Sequence, residues 1–164
     1  MYYKSAYVSP LGKMLMTSDG ESLTGLWFEG QRHFAAGLSQ EGKEEEIPVF
    51  EQTKKWLDVY FSGGKPEHAP PLSPLNATPF RLAVWEILRL IPRGQTVTYK
   101  QVAERCRART GKKTSARAVG GAVGRNPLAL LIPCHRVTGT GGALTGYAAG
   151  LDKKAALLRL EGAL

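Results

Sequence analysis

The segment Leu130-Leu131-Ile132-Pro133-Cys134-His135-Arg136-Val137 concentrates the reactive chemistry of this 164-residue chain. An apolar run, read as a strand, delivers a cysteine with a histidine directly after it. A free thiol titrates near 8.5, so at neutral pH only a few per cent is thiolate, the form that attacks. His135 can take the proton of Cys134 directly or through one water, and Arg136 adds positive potential. Neighbours on a strand point to opposite faces, so cooperation needs a turn after Pro133 or a bridging water. A carboxylate on the second imidazole nitrogen would fix the tautomer. Residues 79–164 hold four acids, and Glu161 near the C-terminus is the candidate among them. Taken alone, the same pair also fits a buried cysteine beside a structural histidine.

The elements that must position this pair divide into two groups. Tyr2 to Val8, Lys13 to Ser18 and Leu23 to Glu29 are β-prone runs separated by Pro10-Leu11-Gly12 and Asp19-Gly20 turns. Glu41 to Glu46 reads as a solvated loop. Pro48 to Phe61 has helical spacing, with Phe50, Trp56, Leu57 and Tyr60 on its apolar side. Pro66, Pro70, Pro71 and Pro74 mark residues 62–77 as an extended linker. From residue 78 the chain reads as mainly helical. Thr78 caps a helix with Pro79 at its first position, and Phe80, Val84, Trp85, Ile87, Leu88 and Ile91 form its buried stripe. Thr98 caps a short helix from Tyr99 to Arg107, with Val102, Ala103 and Cys106 inward. Arg107 to Lys113 is a basic turn, and Ser115 caps a third helix to about Val123. Helix, basic turn, helix is the outline of a helix-turn-helix reader of nucleic acid.

The third helix is unusual. In Ala116-Arg117-Ala118-Val119-Gly120-Gly121-Ala122-Val123-Gly124, interior glycines each cost roughly 1 kcal/mol against alanine. Either close packing against a neighbouring helix offsets that, or the bare surface lies against a DNA backbone or groove. Arg117 is then an ordinary phosphate contact or a wedge in the base stack.

Charge is distributed to match the second option. Residues 1–78 carry 7 Lys/Arg against 10 Asp/Glu, while residues 79–164 carry 15 against 4. A basic half-chain suits a polyanion, since phosphate contacts dominate non-specific nucleic-acid affinity; it equally suits a solvated surface. A hydrophobic fraction of 43% and a charged fraction of 22% argue against disorder. The chain has no apolar run of membrane-spanning length and no apolar leader, so a soluble intracellular protein is expected. Two cysteines far apart, Cys106 and Cys134, make neither a disulfide framework nor a zinc site.

Pro133-Cys134-His135-Arg136-Val137 resembles the active-site signature of the O-6-alkylguanine-DNA alkyltransferases. Thr98-Tyr99-Lys100-Gln101-Val102-Ala103, the Ala116 to Ala122 run, Arg125-Asn126-Pro127 and Thr145-Gly146-Tyr147 resemble further family patterns, in order and at family-like spacing. The similarity is specific over about residues 78–162 and looser over 1–77. It implies an α/β fold: a small ribonuclease-H-like N-terminal lobe with its Pro-rich linker (1–77), then a mostly helical helix-turn-helix lobe (78–164) that binds DNA and accepts the alkyl group. It implies Cys134 as acceptor, His135 as base, Glu161 as its orienting group and Asn126 as a brace for the turn before the active site. Arg117 becomes the finger replacing the extruded nucleotide, with Ala116, Ala118 and Gly120 against the minor groove. Tyr99 crowds the phosphate beside the target and protonates the departing guanine. Val137, Tyr147, Ala148 and Arg125 belong to the substrate pocket. No metal or cofactor is implied. The expected partner is double-stranded DNA containing alkylated guanine, with no membrane; the protein is expected to be a cytoplasmic monomer, nucleoid-associated if bacterial.

Departures from the family pattern are local. Ala148 stands where some members have serine, and Ala149 where glycine is frequent, which would narrow the pocket toward small alkyl groups. The basic turn is several residues longer than in many members. Three other readings compete. An alkyltransferase-like binder keeps the fold but has tryptophan at the cysteine position. A plain helix-turn-helix regulator leaves Cys134 unexplained. A cysteine hydrolase would turn over.

Overall fold

A computed structural model describes residues 1–38 and 41–164, divided into two compact units. Unit 1 comprises Met1–Asn76 and Pro127–Ala129, and unit 2 comprises Ala77–Asn126 and Leu130–Leu164.

Unit 1 is a four-stranded mixed sheet with one helix. Strands β1 (Tyr3–Ser9), β2 (Gly12–Ser18) and β3 (Leu23–Phe28) form an antiparallel meander. The short β4 (Lys43–Glu44) pairs parallel with β1, giving the order β3-β2-β1-β4. The acidic run is therefore not wholly loop: Lys43 N donates to Tyr2 O at 2.9 Å and draws the run to the sheet edge. Helix α1 (Pro48–Phe61) buries Val49, Phe50, Thr53, Leu57 and Tyr60. Trp56 is half-buried and stacks on Tyr60. The proline-rich segment is extended but not a free linker. Leu23 N donates to Pro71 O, and Ser73 N and Leu75 N donate back to Leu23 O and Thr24 O. Prolines suit such an edge, where their missing N–H leaves no ladder bond unmade. Residues 127–129 extend the same edge: Leu26 N donates to Pro127 O at 2.7 Å, and Ala129 N donates to Leu26 O at 3.0 Å.

Unit 2 is helical. Helix α2 (Pro79–Arg89) starts at the Thr78 cap, whose side chain accepts from Arg81 N. It buries Val84, Trp85, Ile87 and Leu88, with Ile91 just beyond. Phe80 departs from the expected stripe and is 39% exposed, because the first turn projects past the core. Strand β5 (Val97–Thr98) leads into α3 (Tyr99–Thr110), closed by a full capping box between Thr98 and Gln101. Helix α3 runs three residues past the expected Arg107 and ends at Gly111, whose φ of +73° supplies the left-handed cap. The loop before α4 (Ala116–Gly124) is thus residues 111–115, with Ser115 accepting from Ala118 N. Strand β6 (Val137–Thr138) pairs parallel with β5, and α5 (Leu151–Leu160) closes the chain. No helix among the described residues is long and apolar enough to cross a membrane.

One buried bond ties α2 to α4: Trp85 Nε1 donates to Ala122 O at 2.9 Å. Trp85→Phe keeps an aromatic ring but removes this donor, leaving Ala122 O only its bond from Arg125 N at 3.2 Å. The expected loss is about 1–3 kcal/mol, measured as a lower midpoint in urea unfolding.

Candidate active site

Cys134 does not lie on a strand. Residues 130–133 form a turn entered through Leu130 at φ +70°, and Cys134–Arg136 are one turn of 3₁₀ helix. The turn is held from α4: Asn126, just past its C-terminus, donates from Nδ2 to Ile132 O at 2.8 Å. Pairing the amide with a turn carbonyl makes the end of α4 and the start of the reactive segment one rigid piece.

Cys134 is 7% exposed. Burial pushes its thiol pKa up, and the polar side chains of Asn126 and Tyr147, together with the positive charge of Lys154, act against that rise. Asn126 thus braces the turn and also favours the thiolate. His135 and Glu161 are buried side by side, with His135 Nε2 and Glu161 Oε2 2.6 Å apart. Burial pulls the imidazole pKa down, Glu161 acts to raise it, and the charges of Arg136 and Lys154 lower it further. Burial is the largest of these effects and favours the neutral imidazole. With Nε2 on the carboxylate, Nδ1 is the unprotonated nitrogen, and it has no hydrogen-bond partner among the described residues. No direct hydrogen bond joins His135 to Cys134 among them either.

Lys154 is a buried charged side chain at this site that the sequence reading missed. It is fully buried on α5, and Nζ donates to Val137 O at 2.5 Å, Thr145 O at 2.9 Å and Gly146 O at 3.2 Å. Burial brings its pKa down to about 8, against the pull of a Cys134 thiolate. Tyr99 donates to two of the same carbonyls, at 3.1 Å to Thr145 O and 3.2 Å to Gly146 O. Gly146 is required there: φ is +59°, and a Cβ would stand 3.3 Å from the Tyr99 hydroxyl. Burial and the nearby Cys134 raise the Tyr99 pKa, so the phenol stays protonated. A signal for Lys154 existed in the sequence. It precedes Leu157 and Leu158 by three and four residues and so lies on the apolar stripe of α5.

The structure thus gathers Cys134, His135, Glu161, Asn126, Tyr99, Val137 and Tyr147 around one network. Ala148 follows Tyr147 and is half-buried. Of the helix α4 residues, Ala116, Arg117 and Ala118 are exposed, while Gly120 is half-buried beside Tyr99. Arg125 is also exposed, and it lines a hollow of about 330 Å³ with Phe80, Arg81, Ala118 and Gly121. A Cβ on Gly121 or Gly124 would meet nothing within 4 Å, and one on Gly120 would meet Tyr99 at 3.9 Å. Packing within this chain therefore does not account for these glycines. Among the described residues no group of three or more His, Cys, Asp and Glu could hold a metal.

The chain matches the family model "6-O-methylguanine DNA methyltransferase, DNA binding domain" over residues 79–163 and the model "6-O-methylguanine DNA methyltransferase, ribonuclease-like domain" over residues 1–74. This protein belongs to the 6-O-methylguanine DNA methyltransferase family. A methylated-DNA–protein-cysteine methyltransferase of Haemophilus influenzae is 40% identical over 160 residues, 97% of this chain and 86% of the relative. One of Methanosarcina acetivorans is 40% identical over 163 residues, 99% of each chain. The crystal structure of Mycobacterium tuberculosis OGT in complex with DNA superposes with a TM-score of 0.84 at 34% identity, covering 98% of this chain and 92% of that one. The sheet-bearing N-terminal unit and the helical unit with its helix-turn-helix are the two lobes of this α/β family fold.

The balance at the sulfur can be titrated. Alkylation of Cys134 by iodoacetamide, followed by peptide mass spectrometry, is expected to rise with pH through a midpoint above the ordinary thiol value. Asn126→Ala should move that midpoint higher still, since it removes a polar amide that favours the thiolate.

Proposed function

We propose that this protein repairs double-stranded DNA by taking the alkyl group from O-6-alkylguanine onto Cys134, once per molecule and irreversibly, with O-4-alkylthymine as a possible second substrate. The observation that carries the reading is a buried thiol in the residue directly before His135, whose Nε2 lies 2.6 Å from Glu161, in a chain of this family. The domain division follows: residues 1–77 form the scaffold lobe, and 78–164 bind DNA and accept the alkyl group.

The lesion lies inside the duplex, so its nucleotide must be flipped out at a cost of a few kcal/mol. Helix α4 suits that task. Ala116, Ala118 and Gly120 leave a smooth surface for the minor groove, and exposed Arg117 fills the place of the extruded base. Arg125, exposed in a hollow beside Arg81, is read with the substrate pocket. Val137, Tyr147 and Ala148 surround the guanine.

In the chemical step the thiol proton goes to His135 Nδ1, directly or through one water, while Nε2–H stays on Glu161. A sulfur lone pair forms the bond to the alkyl carbon, and the C–O bond electrons leave with guanine. Tyr99, kept protonated by its surroundings, neutralises that leaving group. To reach it, the hydroxyl gives up its bonds to Thr145 O and Gly146 O. The resulting imidazolium and phenolate then return to neutrality through solvent, so the net proton moves from cysteine to guanine. A thioether offers water no activated bond, so there is no second turnover. The residues require neither metal nor cofactor for this step. A cytoplasmic monomer, nucleoid-associated if bacterial, completes the reading.

The alkyltransferase-like alternative, binding without transfer, is separated by the sulfur. Incubated with duplex DNA bearing one O-6-methylguanine, the intact protein should gain the mass of one methyl group on Cys134. Cys134→Ala should gain none yet still retard the damaged duplex; methylation of that variant, or a wild type that binds without mass gain, rejects the proposal. Arg117→Ala should slow repair of duplex DNA by roughly tenfold or more while leaving reaction with the free base analogue nearly unchanged. Equal losses on both substrates would remove the finger role.

A further inference from the structure

The Glu161 carboxylate is shared between two partners. Opposite His135, Arg136 donates from Nε to Oε1 at 2.7 Å and from Nη2 to Oε2 at 3.0 Å. Its remaining nitrogen, Nη1, donates to Ile91 O at 2.7 Å, just past α2. The Arg136 side chain is 12% exposed, and that of Glu161 is fully buried. A planar guanidinium matches a carboxylate in two parallel bonds, a geometry lysine cannot reproduce.

We propose that Arg136 is a positioning residue for alkyl transfer: it fixes the plane of Glu161 and takes up part of its charge, so that His135 meets the substrate neutral, with Nδ1 open to the thiol proton. This inference rests on the reading of His135 as the base. A lone carboxylate against the imidazole would draw a proton onto the ring in advance, and a pre-protonated ring cannot accept one from Cys134. The Arg136 fork opposes this twice, by spreading the Glu161 charge over three hydrogen bonds and by placing its own positive charge nearby. It also clamps three pieces together: the reactive turn, the end of α5 and the turn after α2.

Other charged and titratable groups face the pair. Lys154 comes from α5 and Cys134 from the same turn as His135. Tyr147 reaches the sulfur from the loop before α5, and Tyr99 lies against Lys154 from α3. Arg93, on the turn after α2, donates to Leu160 O at 3.3 Å. All of these remain when Arg136 alone is changed, so substitutions there isolate its contribution.

The test compares wild type, Arg136→Gln and Arg136→Lys as full-length proteins. Single-turnover methyl transfer from a duplex with one O-6-methylguanine is followed from mildly acidic to mildly alkaline pH, and the His135 ring is titrated by NMR. For Arg136→Gln the acid limb of the rate profile and the His135 titration should move up together, by about one pH unit or more. Arg136→Lys keeps the charge but not the fork. It should hold the midpoint near wild type while losing roughly tenfold in rate at every pH. An Arg136→Gln protein whose profile and His135 titration match wild type overturns the proposal, even if it melts at a lower temperature. If Arg136→Gln does not fold, Arg136→Lys decides, and a wild-type rate there overturns it. A wild type that transfers nothing refutes the repair reading instead, and the NMR titration still scores the effect of Arg136 on the ring.

Discussion

The carboxylate of Glu161 has no exposed side-chain surface, so its charge must be met inside the protein, and one three-residue turn meets it from two sides. An unpaired buried charge would cost several kcal/mol; a paired one costs little if every lone pair is used. Glu161 uses both oxygens, on His135 and Arg136. That demand explains why Cys134–Arg136 form a 3₁₀ turn instead of a strand. On a strand, His135 and Arg136 would point to opposite faces; a tight turn lets both reach the same carboxylate. The position of Cys134 follows from that turn and from Asn126 gripping Ile132 O ahead of it.

The same burial sets a conflict at the sulfur. A dry site strengthens every electrostatic interaction that catalysis can use, but it also disfavours the thiolate. Burial favours the protonated cysteine, while the polar side chains of Asn126 and Tyr147 and the Lys154 charge favour the anion. Lys154 serves structure as well, because its three carbonyl bonds and those of Tyr99 hold the Thr145-Gly146 loop that leads into Tyr147. Under the proposed single-turnover reaction, a nucleophile that need act only once gains by this arrangement, because burial keeps it unreactive toward adventitious electrophiles until a substrate brings the alkyl carbon in line.

Much of this was legible in the sequence, for identifiable reasons. Thr78, Thr98 and Ser115 each cap the helix expected of them, because capping is local chemistry. The β-meander followed from alternating runs and turn residues. Illegible parts depended on tertiary partners. Nothing local marks Leu130 for a positive φ, so the approach to Cys134 looked like a strand. Phe80 fits the helical period but lies in a first turn with little core beside it. Residues 71–75 and 127–129 are polar or proline-interrupted pieces whose place along β3 only long-range pairing reveals. Arg136 read as a diffuse source of positive potential, since its partners lie 25 and 45 positions away in the chain.

Helix α4 shows how a local penalty can point outside the molecule. Its glycines oppose helix formation, and the tertiary structure returns little for them: Gly121 and Gly124 face open space, and Gly120 has Tyr99 at van der Waals distance. The helix persists because Ser115 caps it, Trp85 holds its Ala122 carbonyl, and Val119, Ala122 and Val123 are buried. The buried side is thus made strong enough to carry an exposed side that contributes nothing to folding. A sequence free to optimise stability would place alanine or longer helix formers on that face. Retaining bare backbone there is rational only if something must approach closer than a Cβ permits, and the basic charge of this half of the chain gives that something a sign.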